Sequence, residues 1–241
     1  MTREIYTVPK TTYSLRSKCE KMGVKKRRGK PLKRLLLITG SGRSGTTYAA
    51  KTMQAIGLDV QHELTGADGT SSLFFLVDSE WYPALPWYPG RNHVGERRSD
   101  YEFQYVLHVV RHPLKTIPSI GKIFNGLNYE LFEEQGVIPI GIKNKMLRCA
   151  WMYYGLNLLA EKQATMRVQL ERYEHSWPAI MRMLGMSRGT LFPRHVKPAN
   201  RGTGFRASVP VTWEDLDALD PELAMNIRKM TRRYGYENCG L

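Results

Sequence analysis

The 241-residue sequence predicts an α/β fold, a single three-layer domain built on a central, mostly parallel sheet. Three observations carry that prediction. Leu35-Leu36-Leu37-Ile38 is a short apolar run that ends in Thr39-Gly40-Ser41-Gly42, the pattern of a buried strand entering a tight turn. Tyr105-Val106-Leu107-His108-Val109-Val110 is nearly all apolar, as a central parallel strand covered on both faces should be. A segment with helical spacing follows the first run and a proline suited to a first helical turn follows the second, and strands that alternate with helices pack as α/β layers.

The elements follow in chain order. Residues 1–33 read as a basic arm and residues 34–241 as the folded domain. The whole chain carries +14, and residues 1–34 hold 12 Lys/Arg against two acidic residues, so the body is only mildly positive. The arm contains Lys25-Lys26-Arg27-Arg28. A solvated tail and a contact with an anionic partner are both open for it. After the first strand, Tyr48, Met53 and Ile56 have helical spacing, and Gly57 is placed to end that helix. Leu58-Asp59-Val60 then returns to the sheet edge beside the glycine turn. Residues 79–100, rich in aromatics, prolines and arginines, read as an irregular insertion on the acceptor side of a site.

Arg111-His112-Pro113 closes the second strand, and Pro113 suits the first turn of a helix. Pro118 removes an interior hydrogen bond, so that helix is expected to start late or to kink. Leu147, Trp151, Tyr154 and Leu158 form an amphipathic stripe, read as core packing. Val168-Gln169-Leu170 reads as a strand. Ser176 to Leu184 reads as a helix with Pro178 in its first turn. Thr212-Trp213-Glu214-Asp215 has the spacing of a capping box. Asp220-Pro221 starts a last helix with Leu223, Ile227, Met230 and Tyr234 on one stripe, and Gly235 ends it.

Composition narrows the class. The longest aliphatic run has four residues, far short of the ~20 that a membrane span needs. No apolar stretch follows the basic start, so no secretory signal is expected. Cys19, Cys149 and Cys239 lie far apart, which indicates neither a disulfide framework nor a zinc site. Together these point to a cytoplasmic protein. A pI near 9.8 taken alone would suggest a binder of nucleic acid or of another anionic polymer.

The strongest chemical signal is Gly40-Ser41-Gly42-Arg43-Ser44-Gly45-Thr46-Thr47, between a predicted strand and a predicted helix. Backbone N–H groups at such a turn converge on one point, and the helix dipole adds positive potential, so the segment suits phosphate or sulfate. The fold it implies is of the P-loop-containing nucleotide-binding type. Thr46 stands where nucleotide triphosphatases carry lysine, and the cation sits inside the loop at Arg43 instead. That argues against ordinary ATP or GTP hydrolysis. A kinase-type phosphotransferase stays open as an alternative, as does a non-enzymatic binder of anionic polymers through the arm.

Two motifs together resemble the sulfotransferases that use 3′-phosphoadenosine 5′-phosphosulfate (PAPS). Arg43-Ser44-Gly45-Thr46-Thr47 fits the family's first signature at every position. Arg111, with Pro113 two residues on and Ser119 eight residues on, fits the second. Weaker similarities reach from Trp151 through Arg167-Val168 and Tyr173-Glu174 to Tyr234-Gly235-Tyr236, so the resemblance spans residues 34–237. It implies that residues 42–47 hold the 5′-phosphosulfate, that Arg111 and Ser119 hold the 3′-phosphate, and that no metal takes part. Arg43 is then the contact to the leaving phosphate. Tyr48 is a candidate to stack on adenine, with core packing as the alternative. Lys197 and Arg201 lie on a basic segment that could close over the cofactor.

The acceptor hydroxyl needs a base. Glu63 is the first candidate, placed after the loop at a distance similar to that of a glutamate in several carbohydrate and tyrosyl-protein sulfotransferases. His62 is the second. On an extended segment adjacent side chains point opposite ways, so one of the two is expected to face the site. His108, in mid-strand, reads as a packed histidine. A carbohydrate, a peptide tyrosine and a small alcohol all remain open as acceptor.

Overall fold

The computed structural model describes residues 29–77, 98–122, 132–187, 189–197 and 210–236. Nearly all of the basic arm, most of the 79–100 insertion, and Arg201 lie outside the described residues. Among the described residues five strands form one parallel sheet: β1 (Leu32–Thr39), β2 (Val60–His62), β3 (Gly69–Ser71), β4 (Tyr101–Val110) and β5 (Met166–Gln169). Their spatial order is β2-β3-β1-β4-β5. The α/β class and the parallel sheet are those the sequence predicts.

The helices given in full among the described residues are α1 (Thr46–Ala55), α2 (Pro113–Ile120), α3 (Lys145–Gln163), α4 (Tyr173–Met183), α5 (Trp213–Leu219) and α6 (Pro221–Arg233). Strand alternation sorts them onto two faces. Leu36, Ile38, Leu107 and Val109 pack on Met53 of α1 and on Trp177 and Ile180 of α4. On the other face Val110 joins Ile117 of α2, Tyr153 and Leu156 of α3, and Ile227 and Met230 of α6. Each fully buried Leu or Ile here contributes about 2 kcal/mol through removal from water. A polar side chain at Leu107 would forfeit that term and strand an unpaired group between layers. Among the described residues no helix is long and apolar enough to cross a membrane.

Several elements differ from expectation. β1 begins at Leu32, so it takes in two residues assigned to the arm. β3 went unseen because Gly69-Thr70-Ser71 has no apolar signal, although all three residues are buried. Its insertion beside β1 moves β2 to the outer edge of the sheet. α2 runs through Pro118, because only one backbone bond is lost and the helix stops two residues later. α4 starts at Tyr173, which puts Pro178 past its first turn. In α3 the predicted stripe is half-buried; the deepest face is Cys149, Tyr153, Leu156 and Ala160 beside it. Asn144 caps α3, its side chain accepting from the Leu147 amide at 3.0 Å.

His108 is the packed histidine the sequence suggests. It is fully buried, shares a 2.9 Å hydrogen bond with Asn157 Oδ1, and lies edge-on to Tyr234. Burial, partly offset by Asn157, pulls its pKa down to about 4.

Candidate functional site

From β1 the chain crosses first toward β2 and β3, and later toward β4 and β5. β1 and β4 are neighbours at this reversal, and in open α/β sheets such a point leaves a crevice outside the carboxyl ends of the strands. The two sequence motifs sit there. Residues 40–45 leave the end of β1, and Arg111 follows the end of β4.

The glycine loop is built by close approach. Gly40 has φ 154°, and a Cβ there would lie 2.3 Å from the Val109 carbonyl oxygen and 2.8 Å from Ser44 Oγ. Gly45 has φ 103° and occupies the position before α1, where a Cβ would lie 2.5 Å from Leu170 Cδ1. No side chain caps the first turn of α1. The hydroxyls of Ser41 and Ser44 are buried and have no hydrogen-bond partner among the described residues. Buried unpaired hydroxyls are uncommon, and two of them at an uncapped helix start fit a loop that receives an anion.

Arg43 joins the motifs. Its Nε donates to Ser119 Oγ at 3.0 Å across 76 positions of sequence. Ser119 lies in the last turn of α2, so the continuation of that helix through Pro118 is what brings its hydroxyl to the loop. The Arg111 side chain is half-buried, and its carbonyl accepts from the Tyr153 hydroxyl at 3.1 Å. Beside it the His112 ring meets Tyr236 and Trp213 edge-on at 5.4 and 6.4 Å. Burial lowers the pKa of His112, while Glu171 opposes that shift. The Tyr236 hydroxyl donates to Glu171 Oε2 at 2.6 Å, and burial together with that carboxylate holds it well above the ordinary tyrosine range.

His62 and Glu63 reach the same end of the sheet. α1 packs across this face, with Gln54 Nε2 donating to the Val60 carbonyl at 2.9 Å. That packing keeps His62 in reach of the loop although β2 lies at the sheet edge: His62 Nε2 and Thr47 Oγ1 are 2.9 Å apart. Glu63 does not continue the strand. Its φ is 57°, so the expected alternation of the two side chains ends at His62. The Glu63 amide donates to the Ser71 carbonyl at 3.1 Å, and a carboxylate oxygen accepts from Ser72 Oγ at 3.0 Å. Arg43 and Glu63 are the two non-glycine residues with positive φ among the described residues. Such conformations cost about 1–2 kcal/mol each and gather where a side chain must be aimed.

The structure therefore brings Gly42, Arg43, Ser44, Gly45, Thr46, Thr47, Ser119, His62 and Glu63 to one end of the sheet, with Arg111 at the adjoining strand end. Tyr48 instead packs edge-on against Tyr173 at 5.8 Å, in the layer of α1 and α4. Lys197 is exposed, on a segment whose Phe192 packs on Trp177 of α4. Ser71 and Ser72 were missed. Ser71 Oγ donates to the Thr46 carbonyl at 3.0 Å, tying β3 to the start of α1. The signal available was the run Thr70-Ser71-Ser72, three small hydroxyl residues in a row. Among the described residues no group of three His, Cys, Asp or Glu is placed to hold a metal ion.

No protein-family model matches the chain, and no curated protein matches it in sequence.

Proposed function

We propose that the chain is a PAPS-dependent sulfotransferase that moves a sulfuryl group to the hydroxyl of an acceptor by in-line transfer. The observation that carries the reading is the 3.0 Å bond from Arg43 to Ser119. It links the loop suited to a 5′-phosphosulfate with Ser119, to which the resemblance assigns the 3′-phosphate, so that both anionic ends of one donor would lie within reach of Arg43. The donor supplies a sulfuryl group already activated by its link to phosphate.

The chain's residues divide the work. The amides of residues 42–47 and the hydroxyls of Thr46 and Thr47 would hold the phosphosulfate. Arg111 would make a charge-assisted contact to the 3′-phosphate beside Ser119. Arg43 would neutralise charge on the phosphate oxygen as its bond to sulfur breaks. Glu63 would take the acceptor's proton as the acceptor oxygen bonds to sulfur. His62, fastened to Thr47, is the second candidate for that role.

Thermal unfolding with 3′-phosphoadenosine 5′-phosphate and with ATP tests the reading. The former is expected to stabilise the chain by about 2.7 kcal/mol at a hundredfold excess over Kd, several degrees in Tm. ATP should do much less, and Arg111→Ala should abolish the difference. An equal response to both nucleotides would favour the kinase-type alternative, and no response would remove both. Glu63→Gln should keep the stabilisation while transfer from sulfur-35-labelled PAPS falls by about a hundredfold or more.

A further inference from the structure

Ser72 has no role in any motif, yet three hydrogen bonds converge on it. It is fully buried. Its amide donates to the Ile38 carbonyl at 3.0 Å, which anchors it to β1 just ahead of the glycine loop. Its Oγ accepts from the Phe74 amide at 3.2 Å. A serine hydroxyl carries a single hydrogen, and the Phe74 contact uses a lone pair rather than that hydrogen. The hydrogen is therefore left for Glu63 Oε2, 3.0 Å away.

Glu63 itself is held in a left-handed conformation with φ 57°. A β-strand continuation would cost nothing, so the turn persists because its surroundings impose it. The Ser71 carbonyl takes the Glu63 amide and the Ser72 hydroxyl takes the carboxylate, one grip on each end of the residue.

We propose that Ser72 is the positioning residue of Glu63: its oriented hydroxyl fixes where the carboxylate points and favours its ionised, proton-accepting form. The role in catalysis rests on the reading of Glu63 as the base. The direction of the effect follows from chemistry, because a hydroxyl that donates to a carboxylate stabilises the charged state. Ser72 is fully buried, so it would act on an acceptor only through Glu63.

Carbon-13 NMR of the glutamate carboxyls, with Glu63 assigned by loss of its resonance in Glu63→Gln, tests the proposal without an acceptor. In Ser72→Ala the Glu63 midpoint should rise by about one pH unit over the unmodified chain, the value of one hydrogen bond to a charged group. A serine with a purely structural role would change Tm and leave that midpoint in place, which would overturn the proposal. The unmodified chain provides a second measurement that needs no variant to fold. Its Phe74 amide resonance should titrate with the Glu63 midpoint, because the shared hydroxyl relays the change. A Phe74 amide indifferent to that titration would equally overturn it. Calorimetry with 3′-phosphoadenosine 5′-phosphate keeps the two readings separate. A shifted midpoint without nucleotide binding upholds the grip of Ser72 on Glu63 and removes the transfer reaction.

Discussion

Gly40 shows how a single residue sets the site. A Cβ there would lie 2.3 Å from a backbone oxygen of β4, and a strand carbonyl cannot move aside as a flexible side chain can. Gly40→Ala is therefore expected to cost roughly 2–4 kcal/mol in denaturant unfolding, through the clash and the positive φ together. Gly57 makes the internal control. Its φ is 91°, but nothing lies within 4 Å of its added Cβ, so Gly57→Ala should cost only about 1–2 kcal/mol. Equal losses at the two positions would show that the loop does not pack on β4 as described. The glycines were legible in the sequence as a phosphate-type turn. The contact that makes Gly40 indispensable was not, because Val109 is distant in sequence.

At the scale of elements, the C-terminal helices were the most legible part of the chain. Thr212 Oγ1 accepts from the Asp215 amide at 3.2 Å, and the Asp215 carboxylate accepts from the Thr212 amide at 2.8 Å, a capping box read from local spacing alone. Thr212→Ala should cost about 1 kcal/mol by urea denaturation, whereas Thr212→Ser should be close to neutral. A loss in Ser as large as in Ala would shift the role from the hydroxyl to the methyl. What local spacing could not reveal is how these helices dock. Asp217 of α5 takes both terminal nitrogens of Arg228 of α6 at 2.6 Å, and that guanidinium lies over the Trp213 ring. Arg228 holds the Asp217 carboxyl below the ordinary aspartate range. β3 marks the opposite limit. Three small buried residues carry no periodic signal, and only their pairing with β1 and β2 makes them a strand.

For the whole molecule, the buried histidine predicts a pH dependence. His108 has a folded-state pKa of about 4, below the ordinary 6.5. As pH falls the unfolded chain takes up the proton first, so stability is complete above about pH 6.5 and is lost progressively toward pH 4. The loss should approach about 3 kcal/mol, and His112, also lowered by burial, adds to it in the same direction. Asp59, held down chiefly by the Ala67 amide, and Asp217 have lowered values too, and they weaken the fold only below that window. Denaturant titrations at pH 7 and pH 4.5 check this. His108→Gln should flatten most of the slope, and an unchanged slope would move its origin elsewhere.

The amino-acid sequence by itself determined the α/β class, the glycine loop between a strand and a helix, the arginine and serine of the second motif, and the terminal caps. These depend on local chemistry: backbone freedom, apolar periodicity, and side chains that reach their own helix ends. Only the tertiary structure decided the strand order, the bond from Arg43 to Ser119, the separate anchoring of His62 and Glu63, and the place of Ser72. Each of those joins residues that are distant in sequence or hidden in segments without periodicity. The physical reason is the packing of α1 and α2 beside the switch point of the sheet, which brings the two motifs within hydrogen-bond distance of each other.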